Sequence, residues 1–216
     1  DRTEVHRLAE ELTGVKTFVE ALRVQNHEYL NRLHTIAGLI QLGRTQEALD
    51  FIFAVTEEQE ELTRLLTRNI CNYSLAGLLL GKYTRAKELK VQLHIDRATR
   101  LTRLPPRMDA STLGVVIGNL LENALEAVRE TEPERRRVEF RMWEEGEAVH
   151  ILVRDWGEGI PASLQKHIFE QGFSTKGMGR GIGLYLVKKH VETAGGKIFL
   201  ESREREGTTV LVRIPL

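Results

Sequence analysis

Cysteine is almost absent from the 216-residue chain, which has one, Cys71. A single cysteine excludes an intrachain disulfide, and such a composition is typical of proteins from a reducing compartment. A free cysteine with no adjacent basic residue is usually a small core residue, so we expect Cys71 to be buried.

Excess charge and long apolar runs are absent as well. Lysine plus arginine and aspartate plus glutamate both number 31, so the formal net charge is zero and predicts no general attraction to nucleic acid. No apolar run reaches the roughly 20 residues that cross a bilayer, and no signal peptide is visible. The chain nevertheless starts at Asp1, inside a helical repeat, and we therefore expect it to be part of a longer protein.

Proline is missing from residues 3–42, which carry a regular, mostly apolar repeat. Its members recur at spacings of three and four, as in a coiled-coil seam. Gly43 is suited to a left-handed helix end and Thr45 to the N-cap of a second helix, predicted from about Gln46 to Thr67. A hairpin of two such helices cannot bury both apolar stripes, so we expect two copies to form a four-helix bundle. The members of the repeat are Val5, Leu8, Leu12, Val15, Val19, Leu22, Asn26, Tyr29, Leu33, Ile36 and Ile40.

The pattern changes after about residue 69. Helices combined with antiparallel strands predict an α+β fold, a two-layer sandwich with the helices on one face of a sheet. We therefore predict two domains, the helical hairpin at 1–69 and the sandwich at 70–216. The predicted helices are 74–89, 111–128 (with Ser111 as N-cap) and 183–195, and the predicted strands are 91–96, 138–143, 148–155, 197–202 and 208–215.

Two asparagines stand in an otherwise apolar helix, in the motif "NLLENALEA". Asn119 and Asn123 are four residues apart and share one face. An amide oxygen is a hard, neutral ligand that suits Mg²⁺. Local hydrogen bonding is the alternative role, but asparagine is disfavoured within helices, which favours a functional role.

Three glycine-containing motifs follow. In "DWGEGIP", Asp155 ends a strand, and Gly157 and Gly159 allow the backbone to approach a ligand. The next motif is "IFEQGFSTKG". In "GRGIGL", glycines precede a helix whose N-terminal amides would face a phosphate, although the spacing matches neither a dinucleotide fold nor a P-loop. Each motif is weak alone, and their order in the chain makes the combination specific.

Taken together, the four motifs closely resemble the ATP-binding (Bergerat or GHKL-type) domain shared by sensor histidine kinases, type II topoisomerases, Hsp90 chaperones and MutL. The N box corresponds to 119–127, the G1 box to 155–159, the F box to 169–173 and the G2 box to 179–184. The resemblance implies ATP and Mg²⁺ as cofactors.

Roles for individual residues also come from this resemblance. Asn123 would coordinate Mg²⁺, Asn119 would support the metal or the phosphates, and Asp155 would recognise adenine. Residues 170–183 would form a mobile lid, in which Lys176 and Arg180 would contact the γ-phosphate or simply be solvated lid charges. The remaining nucleotide-binding positions that it implies are Gly157, Gly159, Phe169, Thr175, Gly179, Gly181, Gly183 and Leu184.

The stretch "RVQNHEYLNRLH" contains two histidines at the same solvent-facing heptad position, His27 and His34. Only their neighbours distinguish them. Glu28 would orient the His27 ring or accept its proton during attack on a phosphate, and Asn31 would position the ring or a hydrolytic water. His34 has no acid in the following turn, so we predict His27 as the nucleophile.

This stretch is similar to the phosphoacceptor box of the citrate and C4-dicarboxylate sensor kinases, which is related to the sporulation phosphotransferase hairpin. No proline follows it, and Glu126 stands where most kinases have a basic N-box residue. The resemblance implies a homodimeric two-component histidine kinase core that phosphorylates His27 and passes the phosphoryl group to an aspartate of a response regulator receiver domain. Phosphatase activity is a further implied activity.

The resemblance also implies the cytoplasmic portion of a membrane-anchored sensor and, because the ATP domain must reach His27, a flexible joint near 68–73. Three alternatives are a phosphorelay phosphotransferase, an ATP-driven conformational machine and a coiled-coil adaptor. The first predicts eroded ATP boxes, the second a glutamate in place of Asn119, and the third no nucleotide boxes.

Overall fold

The computed structural model of the chain describes residues 23, 27, 29–173 and 182–216. The chain divides into two compact units, 1–61 and 62–216. The domain boundary at 69/70 stays a prediction.

The first unit contains a helical hairpin. Helix α1 covers residues 29–41, and helix α2 (Thr45–Asn69) begins here and continues into the second unit. Gly43, with a φ of 72°, has the predicted left-handed conformation. The prediction that Thr45 is the N-cap is wrong: the carbonyl oxygen of Arg44 accepts the N–H of Ala48 at 3.0 Å, so Arg44 precedes the first helical turn.

Apolar side chains of this hairpin remain exposed. Tyr29, Leu33 and Ile40 belong to the predicted seam and are 61%, 42% and 54% exposed, whereas Ile36 is half-buried. The seam positions from Val5 to Asn26 lie outside the described residues. Exposed apolar residues at regular helical spacing are typical of a surface that another chain covers.

The second unit is built on a five-stranded sheet with strand order β1-β2-β3-β5-β4. The pairs β2–β3, β3–β5 and β4–β5 are antiparallel, but β1 pairs with β2 in parallel, so the prediction of antiparallel strands is wrong for β1. β1 and β2 are parallel because a long crossover that includes α4 connects them, and parallel neighbouring strands require such a connection. The elements are α3 (Tyr73–Glu88), β1 (Gln92–Ile95), α4 (Ala110–Val128), β2 (Arg137–Glu145), β3 (Ala148–Asp155), α5 (Gly183–Thr193), β4 (Lys197–Arg203) and β5 (Gly207–Pro215).

The core of this unit lies between the helices and one face of the sheet. Alternate residues of the strands point inward, including Phe140, Met142 and Ile151, and they meet an almost continuous apolar face of α4 that includes Leu113 and Leu121. This arrangement is the predicted two-layer α+β sandwich. None of the helices within the described residues is both long and apolar enough to cross a membrane.

The N-terminal end of α4 is capped by Asp109 and not, as predicted, by Ser111. Asp109 has an extended backbone, and its Oδ1 accepts the Thr112 N–H at 2.7 Å, whereas Ser111 lies inside the first turn. The bonds from Thr112, first from its N–H and then from its side chain, lower the pKa of the Asp109 carboxyl. The cap therefore stabilises α4 most when it is ionised.

We expect Asp109→Ala to lower the free energy of unfolding by about 1 kcal/mol at neutral pH, because the cap is lost. The folded pKa is depressed, so the ionic part of this stabilisation is present above the unfolded pKa of about 3.9 and is lost as the pH falls through the folded pKa. Urea unfolding between neutral and acidic pH measures the difference. Asp109→Asn keeps a capping acceptor, so its stability should lose only the pH dependence. A stability difference between the wild-type chain and Asp109→Ala that grows as the pH falls would contradict this account.

The prediction that Cys71 is a core residue is wrong. Cys71 is exposed and not in the core. The flexible joint near 68–73 stays a prediction. In the structure, the Cys71 N–H donates to the carbonyl of Leu101, and the Leu101 N–H donates to that of Asn69, both at 2.8 Å. Ile70 between them is buried, which turns the Cys71 side chain outward.

Candidate functional site

One face of α4 carries a stripe of residues at four-residue spacing: Asn119, Asn123 and Ala127, all partly exposed. Asn119 Oδ1 is 2.6 Å from the position that a Cβ on Gly183 would have, at the start of α5. At the other end, the carbonyl oxygen of Ala127 is 2.7 Å from the corresponding position on Gly157, after β3. The first residue of α5 and the turn after β3 therefore converge on this stripe, and Asn123 lies between them.

Asp155 ends β3 and is 7% exposed. Its Oδ1 accepts the N–H of Gly157 at 2.8 Å, which folds the following turn back over the carboxylate. A buried carboxylate is a strong hydrogen-bond acceptor, and such groups are retained where a specific donor must be recognised.

The turn after β3 requires glycine because it is packed on both sides. Gly159 has a φ of 71°, and a Cβ on it would overlap the carbonyl of Arg203 in β4. A Cβ on Gly157 would come within 2.9 Å of the Ala127 side chain. Contact with a helix on one side and a strand on the other therefore holds this turn.

Arg135 stabilises the same turn, and no sequence motif pointed to it. Its guanidinium donates to the carbonyl oxygens of Trp156 at 3.1 Å, Gly157 at 2.6 Å and Arg205 at 2.7 Å. One side chain thus joins the turn after β3 to the β4–β5 hairpin. A signal for it could not be read from the sequence, since its three acceptors are backbone groups.

Gln165 and Ser202 hold the continuation of the turn and were also missed. Gln165 Nε2 donates to the carbonyl oxygens of Ile160 at 2.9 Å and Ser202 at 3.0 Å. The Ile160 N–H donates to Ser202 Oγ at 2.8 Å. The segment after the G1 box is therefore bound to the end of β4.

The structure describes the whole F box and residues 182–184 of the G2 box. Phe169 is half-buried in a run of turns at 162–169, where His167 Nδ1 lies 2.9 Å from Glu170 Oε1. Gly183 and Leu184 are the first residues of α5, and Leu184 packs against the core. The other predicted lid residues lie outside the described residues: Thr175, Lys176, Gly179, Arg180 and Gly181.

In the first unit, His27, Asn31 and His34 are helical and exposed, as predicted. Glu28 lies outside the described residues. The exposed fraction does not separate the two histidines, so the choice of His27 stays a prediction that depends on its neighbours.

Within the described residues, no group of three or more His, Cys, Asp or Glu side chains is placed to hold a metal ion. The oxygen donors on the α4 stripe are amides. Neutral oxygen ligands are compatible with Mg²⁺ that is bound together with a substrate phosphate.

Comparison with known proteins agrees with this arrangement. Residues 108–216 match the family described as histidine kinase-, DNA gyrase B- and HSP90-like ATPase, and residues 8–67 match the alpha-helical domain of SpoOB-type sensor kinases. The catalytic domain of the histidine kinase ThkA has a similar structure, with a TM-score of 0.52 and 26% identity over 64% of this chain and 90% of that one.

Two sequence relatives cover the whole chain. It is 49% identical over 216 residues to a probable C4-dicarboxylate sensor kinase of Halalkalibacterium halodurans, and 42% identical over 217 residues to one of Bacillus subtilis. Both matches cover 100% of this chain but 41% of the relative, so the chain spans about two fifths of the length of these relatives. Because the ATPase match covers half of the chain and the helical match precedes it, the chain belongs to the histidine kinase-, DNA gyrase B- and HSP90-like ATPase family, among the sensor kinases with a SpoOB-type helical domain.

Proposed function

We propose that the chain is the kinase core of a two-component sensor histidine kinase. It would transfer the γ-phosphoryl group of ATP to His27 and from there to an aspartate of a response regulator. The observation that carries the proposal is the convergence of Gly157 and Gly183 on the Asn119–Asn123–Ala127 stripe, since it brings three ATP-site motifs together in one unit.

The residues of the second unit fit Mg-ATP. The buried carboxylate of Asp155 would accept a hydrogen bond from the exocyclic amine of adenine. Asn123 would be a ligand of Mg²⁺, with Asn119 beside it. The lack of a side chain at Gly157 and Gly183 lets the turn after β3 and the start of α5 approach α4 closely around these amides. When bound, Mg²⁺ would neutralise phosphate charge.

At His27, the exposed imidazole would act as the nucleophile. A nitrogen–phosphorus bond would form on the ring as the bond between the γ-phosphorus and the bridging oxygen breaks, and ADP would leave. The proton of the ring would pass to Glu28, and Asn31, one turn away, would orient the ring. In the reverse role, Asn31 would hold a water for hydrolysis of the phosphorylated regulator.

The exposed apolar residues of the hairpin support a homodimer. Burial of Tyr29, Leu33 and Ile40 against a second copy would complete the four-helix bundle. The similarity to sensor kinases further supports a cytoplasmic location for these residues as part of a larger membrane-anchored protein.

Incubation with γ-labelled ATP and Mg²⁺ tests the function. We expect protein-bound label that is lost in acid and retained in base, as for a phosphoramidate, and that then moves to a receiver domain. Label that is stable in acid would exclude phosphohistidine. A chain that takes no label from ATP but does accept it from a phosphorylated receiver domain would instead be a phosphotransferase.

A further inference from the structure

Helices α3 and α4 are joined by an ion pair beside the nucleotide stripe. Lys82 Nζ of α3 contacts Glu122 Oε2 of α4, and the two side chains are 19% and 36% exposed. The residues are 40 positions apart in the chain, so the pair forms only when the helices pack. Because the pair is partly withdrawn from solvent, a change that removes one partner would leave the other charge without compensation.

The pair lies at the edge of the stripe. Gly114, Gly118 and Glu122 form a second stripe of α4 at four-residue spacing, about 100° around the helix from the stripe of Asn119 and Asn123. Glu122 follows Asn119 by three residues, which makes these two side chains neighbours on the helix surface. Leu78 of α3 lies 3.7 and 3.9 Å from the positions that Cβ atoms on Gly114 and Gly118 would have. One helical turn later along both helices, Lys82 meets Glu122. Glu122 therefore stands at the boundary between the α3 contact and the nucleotide face.

At this position, the negative charge of Glu122 would weaken the binding of the nucleotide phosphates. Glu122 is the residue before Asn123, and Glu126 follows one turn later on the same side of α4. A carboxylate beside the phosphates of a nucleotide would repel them, and the repulsion is stronger where the charges are partly withdrawn from solvent. The Lys82 ammonium neutralises Glu122 and fixes its carboxylate towards α3.

We propose that Lys82 is a positioning residue for the nucleotide: it neutralises Glu122 and holds it towards α3, so that the Asn119–Asn123 face accepts the phosphates. The inference rests on the proposed ATP-binding function. It predicts that Lys82 affects binding of the phosphates and leaves binding of the adenine ring unchanged.

Binding of Mg-ATP and of adenosine to Lys82→Met, measured by titration calorimetry or NMR, tests this role. We expect the Kd for Mg-ATP to rise roughly fivefold to tenfold, the order of effect of one uncompensated charge near a polyphosphate. The Kd for adenosine should stay within about twofold, since it has no phosphate to repel. Lys82→Arg keeps the cation and should bind both ligands like the wild-type chain.

A second substitution separates charge from packing. In Lys82→Met with Glu122→Gln, the carboxylate that Lys82 neutralises is removed together with it, so the affinity for Mg-ATP should return to near the wild-type value. Arg85→Met is the matched control: Arg85 belongs to the same helix but pairs with Glu88 of that helix, 3.0 Å away, and its loss should change neither affinity.

Equal loss of Mg-ATP and adenosine affinity in Lys82→Met would show a general packing defect and overturn the inference, as would failure of Glu122→Gln to restore binding. In both cases a wild-type chain that binds Mg-ATP leaves the proposed function intact. A wild-type chain that binds neither ligand would overturn the proposed function and this inference with it.

Discussion

His27→Gln is expected to take no label from γ-labelled ATP, whereas His34→Gln is expected to be labelled like the wild-type chain. Glutamine is polar but has no basic ring nitrogen that could attack phosphorus, so the phosphoryl acceptor is lost completely. Both histidines are helical and exposed and lie seven residues apart, and the two variants therefore change the same kind of surface. Gel autoradiography before and after acid treatment is the measurement.

The control for this prediction is nucleotide binding. The ATP-site motifs lie in residues 62–216 and His27 lies in 1–61, so His27→Gln should bind Mg-ATP with unchanged affinity. Its helical circular dichroism should also be unchanged, because an exposed helical position tolerates glutamine. Label that persists in His27→Gln and disappears in His34→Gln would reverse the assignment.

Asn123→Ala is expected to abolish Mg-dependent use of ATP. Asn123 lies on the α4 stripe between the positions that Gly183 and Gly157 approach, so its amide is the central oxygen donor of this face. Removal of a metal ligand in phosphoryl transfer withdraws several kcal/mol of charge stabilisation, which corresponds to a roughly hundredfold or greater loss of rate. Autophosphorylation rates over a range of Mg²⁺ concentrations measure this effect.

Asn72→Ala is a matched control for Asn123→Ala. It also removes an amide from the second unit, but Asn72 caps α3 by accepting the N–H groups of Ser74 and Leu75. The control should lower stability by about 1 kcal/mol and leave the Mg²⁺ dependence unchanged. Asn123→Ala should remain a dimer by light scattering, because the proposed dimer surface is in the hairpin. A monomeric Asn123→Ala variant, or an unchanged Mg²⁺ dependence, would contradict the assigned role.

The elements of the second unit were largely predictable. Alternation of apolar and polar residues predicts a strand at 148–155, and β3 has these bounds. The apolar pattern predicts a helix at 111–128, and α4 starts one residue earlier. Such patterns are visible because a strand or helix that packs on one core must repeat its apolar residues with its own period.

Element ends and exposure were less predictable. Ser111 and Asp109 are both good capping residues, and only the extended backbone at Asp109 decides between them. Cys71 is exposed because its neighbour Ile70 is buried in the core. Composition alone does not predict which of the two residues is buried. The parallel pairing of β1 likewise depends on where α4 crosses the sheet.

By itself, the sequence determined which motifs the candidate site contains. The order of the four motifs and the shared face of Asn119 and Asn123 follow from residue identity and helical period, and the combination resembles the ATP-binding domain that histidine kinases share with type II topoisomerases and Hsp90 chaperones. These are properties of residues close together along the chain, so they can be read without a structure.

Only the tertiary structure decided which residues support that site. Arg135 under the turn after β3, Gly183 against Asn119, and Lys82 paired with Glu122 all join parts of the chain that are far apart in sequence. Their contacts depend on how helices and strands pack, and packing follows from the mutual fit of whole surfaces. The pattern of residues within a short segment does not predict how well distant surfaces fit together.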